Sequence, residues 1–246
     1  MSNYKTNGAS ITVLSTGATY HTWKDWRLAM QNTGHIGEPE QETFYVDVPG
    51  ADGFLDYSEA LTGRPIFKSR SIEAVLGGNR TREEWSNFIS KLRVLLEGKL
   101  CHVTFDDMPG YYWEGRIHIG QLDRKGRVGS FTLSIPKADP YGYAQKTNND
   151  EWEWDPFDFE YGVIDPIDIT VSNSSRSVMV DGRGAPFPVF VEVSSIGSVL
   201  KMSCNGETYQ LTQGINRFHD LLITENTSLT FTGTGTLKVT YRRRIL

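Results

Sequence analysis

Phe105–Ile117 reads FDDMPGYYWEGRI, and its interpretation decides what kind of protein this is. Two adjacent aspartates suggest a carboxylate site, whereas Pro-Gly between apolar and aromatic runs suggests a turn joining two strands. The flanking VTF (Val103–Phe105) and YYW (Tyr111–Trp113) carry β-branched and aromatic residues, which suit strands. Asp at the start of a turn accepts from backbone amides two residues on. Pro109 presets φ, and Gly110 accepts the positive φ that closes the turn. A catalytic carboxylate pair needs two different environments to separate its pKa values, and neighbours on one exposed turn share a single environment. The stretch therefore predicts a hairpin with Asp106–Gly110 at its tip. Tyr111 then shares a face with Trp113, and Tyr112 with Glu114. Gly115 marks a bulge or a close backbone approach.

Outward from this hairpin, one helix is expected. Thr81 is a candidate N-cap with Glu84 three residues on, the pattern of a capping box, and Glu83 and Glu84 complement the helix dipole. Trp85, Phe88, Ile89, Leu92, Leu95 and Leu96 recur at helical spacing as one apolar, core-facing stripe, and Gly98 supplies the stop. Before the helix, FYVDV (Phe44–Val48) alternates with Phe44, Val46 and Val48 on one face. It then meets the dense turn signal Pro49–Gly53. FKSRSIEAVL (Phe67–Leu76) reads as a strand that ends at Gly77-Gly78. RVGSFTLSI (Arg127–Ile135) reads as another strand, and Asp139-Pro140-Tyr141 as a boundary.

The second part reads as all-β. Ile167–Val171, Pro188–Val193, Val199–Cys204, Thr208–Leu211, Leu229–Phe231 and Thr236–Tyr241 are short β-rich runs, punctuated as in a sandwich. Asn205-Gly206 is a two-residue hairpin signal. Asn148–Tyr161, NNDEWEWDPFDFEY, alternates aromatic and acidic residues. It is read as a linker and first strand with aromatics inward, or else as a sugar-stacking platform carried by Trp152 and Trp154.

Composition excludes several function classes. The 246 residues are 38 % hydrophobic and 12 % aromatic, too apolar for a disordered chain and long enough for one large or two ordinary domains. The formal charge of −5 makes nucleic acid or an anionic membrane an unnatural partner. Arg242-Arg243-Arg244, the one basic run, reads as a solvated strand end. No apolar run approaches the roughly 18 residues that span a bilayer, and the N-terminus lacks signal-peptide character. The expectation is a cytosolic protein, or one released without the secretory route. Cys101 and Cys204 read as buried free thiols. No nucleophile elbow, P-loop, dinucleotide fingerprint or zinc-protease motif occurs. His102 and His118, placed across a hairpin from each other with Asp106 and Asp107 near, form the best metal candidate. They lack ligand spacing, so no metal and no cofactor is assigned.

Taken in order, VPGADG and LD around Phe54 (Val48–Asp56), the capped helix ending LLEGK, VTFDDMPGYYWEGRI and GSFTLSIPKADPYGY (Gly129–Tyr143) resemble the distal tail proteins of long-tailed phages of Gram-positive hosts. The resemblance covers residues 36–145, and more loosely the second part with its closing GTGTLKVTYRRRIL. The first thirty residues depart from the family's opening strand pair, and YHTWKDWRLAMQNTG (Tyr20–Gly34) is left without an assigned element.

The resemblance implies a mainly β protein. Residues 1–145 would be an N-terminal β-sandwich or barrel-like domain with one α-helix at about 81–97, and residues 146–246 a C-terminal galectin-like β-sandwich projecting outward. Six copies of the first domain would form a ring joining the tail tube protein to the tail-tip hub or fibre protein, without catalysis. The second domain would carry a receptor-binding protein or cell-wall saccharide. The place of action would be a virion tail tip assembled in host cytoplasm, or a defective prophage or tail-like particle. A head-to-tail ring needs exposed contact surfaces. Turn tips flanked by large apolar residues supply candidates: Pro49, Asp52 and Phe54 in the loop Pro49–Leu55, and Met108, Tyr111 and Trp113 around the hairpin tip. The competing functions are a carbohydrate-binding module and, with less support, a glycoside hydrolase using paired carboxylates.

Overall fold

A computed structural model describes residues 8–31, 35–50, 52–150 and 167–246. The protein is mainly β, and among the described residues α1 (Arg82–Leu96) is the one helix. The chain divides into two compact units, Met1–Gly142 and Tyr143–Leu246. The first contains β1 (Ala9–Val13), β2 (Ala18–His21), β3 (Ala29–Met30), β4 (Tyr45–Asp47), β5 (Phe54–Asp56) and β6 (Arg70–Asn79). After α1 follow β7 (Leu100–Phe105), β8 (Tyr111–Arg116), β9 (His118–Ile119), β10 (Asp123–Lys125) and β11 (Val128–Ala138). Strand β12 (Gly142–Ala144) leads into the second unit. There, β13 (Ile167–Val180), β14 (Phe187–Cys204), β15 (Glu207–Gln210), β16 (Gly214–Ile223), β17 (Thr227–Tyr241) and β18 (Arg244–Ile245) follow.

In the first unit two antiparallel sheets enclose the core. One runs β2-β1-β7-β8; the other runs β10-β11-β6-β3, with β9 also on β11. Alternation sets the inner faces: Ile11, Val13, Val103, Phe105 and Trp113 from one sheet, and Ile72, Leu76, Phe131, Leu133 and Ile135 from the other, are all buried. The opening hairpin β1–β2, absent from the sequence reading, pairs Ile11 with Tyr20. Strand β6 does not end at Gly77-Gly78 but continues through both to Asn79. A side chain at Gly77 would strike Gln31, so the glycines admit the chain just beyond β3 against the sheet. Gly115 lies within β8, facing Ile135 of the opposite sheet.

The helix forms as its sequence demands. Thr81 Oγ1 accepts from the Glu84 amide at 3.3 Å, and the Glu84 carboxylate accepts from the Thr81 amide at 2.6 Å. Both satisfy donors that a helix start leaves unpaired. Trp85, Ile89, Leu92 and Leu96 are buried, and Phe88 and Leu95 are half-buried. Trp85 anchors the helix. Its indole N–H donates to Arg127 O at 3.0 Å, and its ring lies so close over Gly129 that a Cβ there would sit 2.8 Å from it. The Arg80 guanidinium covers it at 4.9 Å and covers Phe88 at 4.1 Å, a cation–π arrangement.

The second unit is one antiparallel sheet ordered β13-β17-β14-β15, with β16 also on β14. The expected short strands are fused into long ones. Pro188–Val193 and Val199–Cys204 are both β14, and Leu229–Phe231 and Thr236–Tyr241 are both β17. What reads as punctuation is a crease. Register shifts fall at one level on three adjacent strands: around Asn173 on β13, opposite Gly233 on β17, and between Ile196 and Leu200 on β14. Gly233 has φ +119, and a Cβ would meet Val199 O, so only glycine fits the fold line. The halves on either side close over a core containing Val171, Val189, Met202, Phe231 and Tyr241. Asn205 and Gly206, φ 49 and 86, make the expected two-residue hairpin.

The closing arginines are not a solvated end. Arg243 is buried over Phe187 and Tyr241, with its guanidinium 3.1 Å from Asp181. Arg242 and Arg244 donate to backbone carbonyls, including Ala144 O and Pro186 O. Cys101 and Cys204 are buried free thiols.

Two outcomes are expected. Gly129→Ala should destabilise the first unit by roughly 1–3 kcal/mol in chemical denaturation, because the buried indole has no room to retreat. Hydrogen bonding to Arg183, with the Arg243 charge, lowers the Asp181 pKa to about 2. A depressed carboxylate stabilises the fold above its unfolded pKa of about 4, and that contribution fades as pH falls through about 2. Asp181→Asn should therefore be less stable than wild type at neutral pH, with the difference shrinking between pH 4 and 2.

Candidate functional site

The hairpin tip between β7 and β8 is a structural knot. His21 fixes it from β2. Its Nδ1 accepts from the amides of Trp23 at 3.1 Å and Lys24 at 3.2 Å, so Nε2 carries the proton and donates to Asp106 at 3.0 Å. Both ring nitrogens are thus engaged in holding the hairpin tip. Asp107 Oδ1 lies 3.5 Å from Nε2 of the buried His35, whose ring packs tilted against Phe105 with centroids 3.8 Å apart. The Asp106 amide donates to Gly8 O at 3.0 Å. Asp106 thus hydrogen-bonds a histidine from a distant segment and Asp107 lies beside another, instead of the two capping the turn's own amides.

The other histidines separate too. His102 meets Glu114 at 2.9 Å under the Tyr112 ring, while His118 on β9 meets Glu97 at 2.6 Å, just past the end of α1. The two do not face each other across the hairpin. Among the described residues no group of three metal-ligating side chains comes together. Hydrogen bonds from Ile119 N–H and His118 outweigh desolvation and hold the Glu97 carboxyl below its usual range.

The tip aromatics are core, not surface. Trp113 is 1 % and Tyr111 7 % exposed, so neither offers itself to a neighbouring subunit as expected. The reason is phase: Tyr111 and Trp113 continue the inward face that Phe105 begins, and only Met108 at the turn remains half-buried. Trp152 and Trp154 lie outside the described residues.

The loop Pro49–Leu55 is placed differently. It caps a two-stranded arm. Strands β4 and β5 pair Val46 with Leu55 and Asp47 with Phe54. The Glu42 amide donates to Ile66 O and the Lys68 amide to Glu40 O, both at 2.8 Å, carrying the ribbon back toward β6. Pro49, Asp52 and Phe54 are all exposed. Phe54 is 74 % and Leu61 99 % exposed, and Phe44, Tyr45, Leu55 and Tyr57 are exposed as well. Phe44, Val46, Tyr57, Leu61 and Ile66 line an apolar cleft of about 700 Å³. The ribbon thus exposes apolar side chains on both faces, the cleft on one and Tyr45 against Phe54 on the other, and exposed apolar surface of this extent on a folded unit marks an interaction site. The sequence reading found the loop but not the arm's apolar flank at Leu61, which no periodicity announces.

No protein-family model and no curated protein matches the sequence. Among solved structures, the fold matches the SPP1 Dit (gp 19.1) protein, described as a paradigm of the hub adsorption apparatus in Gram-positive-infecting phages. The match covers 98 % of this chain and 100 % of that one, with a TM-score of 0.64 at 15 % identity.

Tyr111→Glu buries a charge and should lower stability by on the order of 3 kcal/mol or more in thermal or urea unfolding. Phe54→Glu, on the exposed arm, should stay within about 0.5 kcal/mol of wild type.

Proposed function

We propose that this protein is a structural adaptor of a phage tail tip, of the distal tail type. Six copies form a ring through their first units, joining the tail tube protein to the tail-tip hub or fibre. The observation that carries this reading is the shared fold with SPP1 Dit over 98 % of the chain, which spans both units. Two features add support. His21, His102 and His118 each hydrogen-bond a carboxylate of a neighbouring strand or loop, as suits a scaffold. The first unit also leaves a large apolar arm uncovered, as a protein does when its partner is another chain.

In this reading the chain acts without catalysis and without cofactor, at the virion tail tip after assembly in host cytoplasm, or in a tail-like particle. The second unit, with its creased sheet, carries a receptor-binding protein or cell-wall saccharide.

Size-exclusion chromatography with light scattering, paired with negative-stain microscopy, tests the reading. Rings of about six times the 27.7 kDa chain mass are expected. A monomer at all concentrations that instead binds cell-wall polysaccharide would replace the adaptor with a carbohydrate-binding module.

A further inference from the structure

Two uncovered surfaces on the first unit are chemically opposite. The arm, residues 38–68, holds seven carboxylates against two bases. Residues 1–142 hold 17 acids and 16 bases in all, so ten acids and fourteen bases lie outside the arm. The arm is therefore an apolar surface on an acidic ribbon, attached to a body of opposite sign.

The complementary surface lies on α1. Trp85, Ile89, Leu92 and Leu96 face inward, which turns Ser90, Lys91 and Val94 outward. Together with Leu95 and Lys99 they line a shallow depression of about 470 Å³. Val94 in its lining is 78 % exposed, where a β-branched residue gains nothing for the helix. Lys91 and Lys99 supply positive charge at its edge, and Arg93 adds more in the last turn. Glu97, the acid nearest to them in sequence, is bound by His118 and the Ile119 amide and offsets part of the Arg93 charge, leaving Lys91 and Lys99 as the charges at the edge.

We propose that the arm of one copy docks on the α1 depression of the next. Electrostatics selects this pairing. Arm against arm brings two acidic ribbons together, and helix against helix brings two sets of lysines together; both repel. Only arm against helix matches apolar centre to apolar centre and acid to base. Because each copy carries one of each surface, the contact is head-to-tail and propagates around a ring. The apolar centre supplies the affinity, and the charges set partner choice and encounter rate. The inference rests on the ring reading and assigns its interface.

Complementation of the full-length chain tests it. Val94→Glu spoils the helix surface; Phe54→Glu with Leu61→Glu spoils the arm. All three sites are exposed, so the unfolding midpoints should match wild type. Each variant alone should need at least about tenfold more protein to assemble. Mixed, the two variants should form a species of two chains, joined by the one intact arm and the one intact helix surface. Raising salt should weaken wild-type assembly, as screening predicts. Wild-type rings with Val94→Glu rings intact would overturn this interface and leave the adaptor reading standing. Two monomeric variants that fail to pair on mixing would also overturn it. A wild-type chain that never assembles would overturn the adaptor reading and the interface together.

Discussion

The seating of Trp85 over Gly129 is the contact on which the first unit's outward face depends. Burying an indole of this size in a helix-on-sheet contact contributes several kcal/mol, on the order of the roughly 3–5 kcal/mol lost when a core Trp becomes Ala. The hydrogen bond to Arg127 O and the Arg80 guanidinium fix the ring's rotation as well as its depth. A helix held at that one point by such a side chain cannot roll. Ile89, Leu92 and Leu96 follow inward at helical spacing, and Lys91 and Val94 are forced outward. The exposure of Val94 is thus a consequence of core packing at the other side of the same helix.

The arm is the converse case. Its base is tied by the Lys68–Glu40 and Glu42–Ile66 bonds and its tip by the β4–β5 pairs, yet its large side chains find no core. A two-stranded ribbon has one face too few to bury them. The seven carboxylates along it disfavour pairing with a second arm. The second unit solves its packing alone: one sheet, creased along Asn173, Gly233 and Ile196–Leu200, becomes its own partner layer. It therefore needs no neighbour to complete a core, whereas the first unit's arm remains unsatisfied.

Local patterns were legible in the sequence, and long-range ones were not. The capping box, the stripe from Trp85 to Leu96 and the Asn205-Gly206 hairpin each depend on residues within a few positions and stand as read; the Asp106–Gly110 turn forms where expected, but without positive φ at Gly110 and with its aspartates directed at His21 and His35 instead of the turn's amides. The glycines were harder. Gly77-Gly78 and Gly233–Gly235 look like strand ends, but one pair makes room for the Gln31 and Leu28 side chains and the other forms a fold line, and which of these applies depends on segments far away in sequence. The same holds for Asp106, whose partner His21 is 85 residues distant, and for Tyr111 and Trp113, whose burial follows from a second sheet that period-two alternation does not reveal. Phe54 was visible as an exposed tip residue because the turn signal beside it is local. The helix depression was missed, since an outward Val94 between lysines resembles any solvated helix face until the arm's opposite charge is set beside it.

The most direct test of the account is a photo-crosslinking side chain at position 61, placed in chains mixed with isotope-labelled wild type. After irradiation of the assembled protein, mass spectrometry should find Leu61's replacement joined to the peptide containing Lys91–Lys99 of a different copy. Crosslinks confined to its own chain, or directed to another chain's arm, would contradict it.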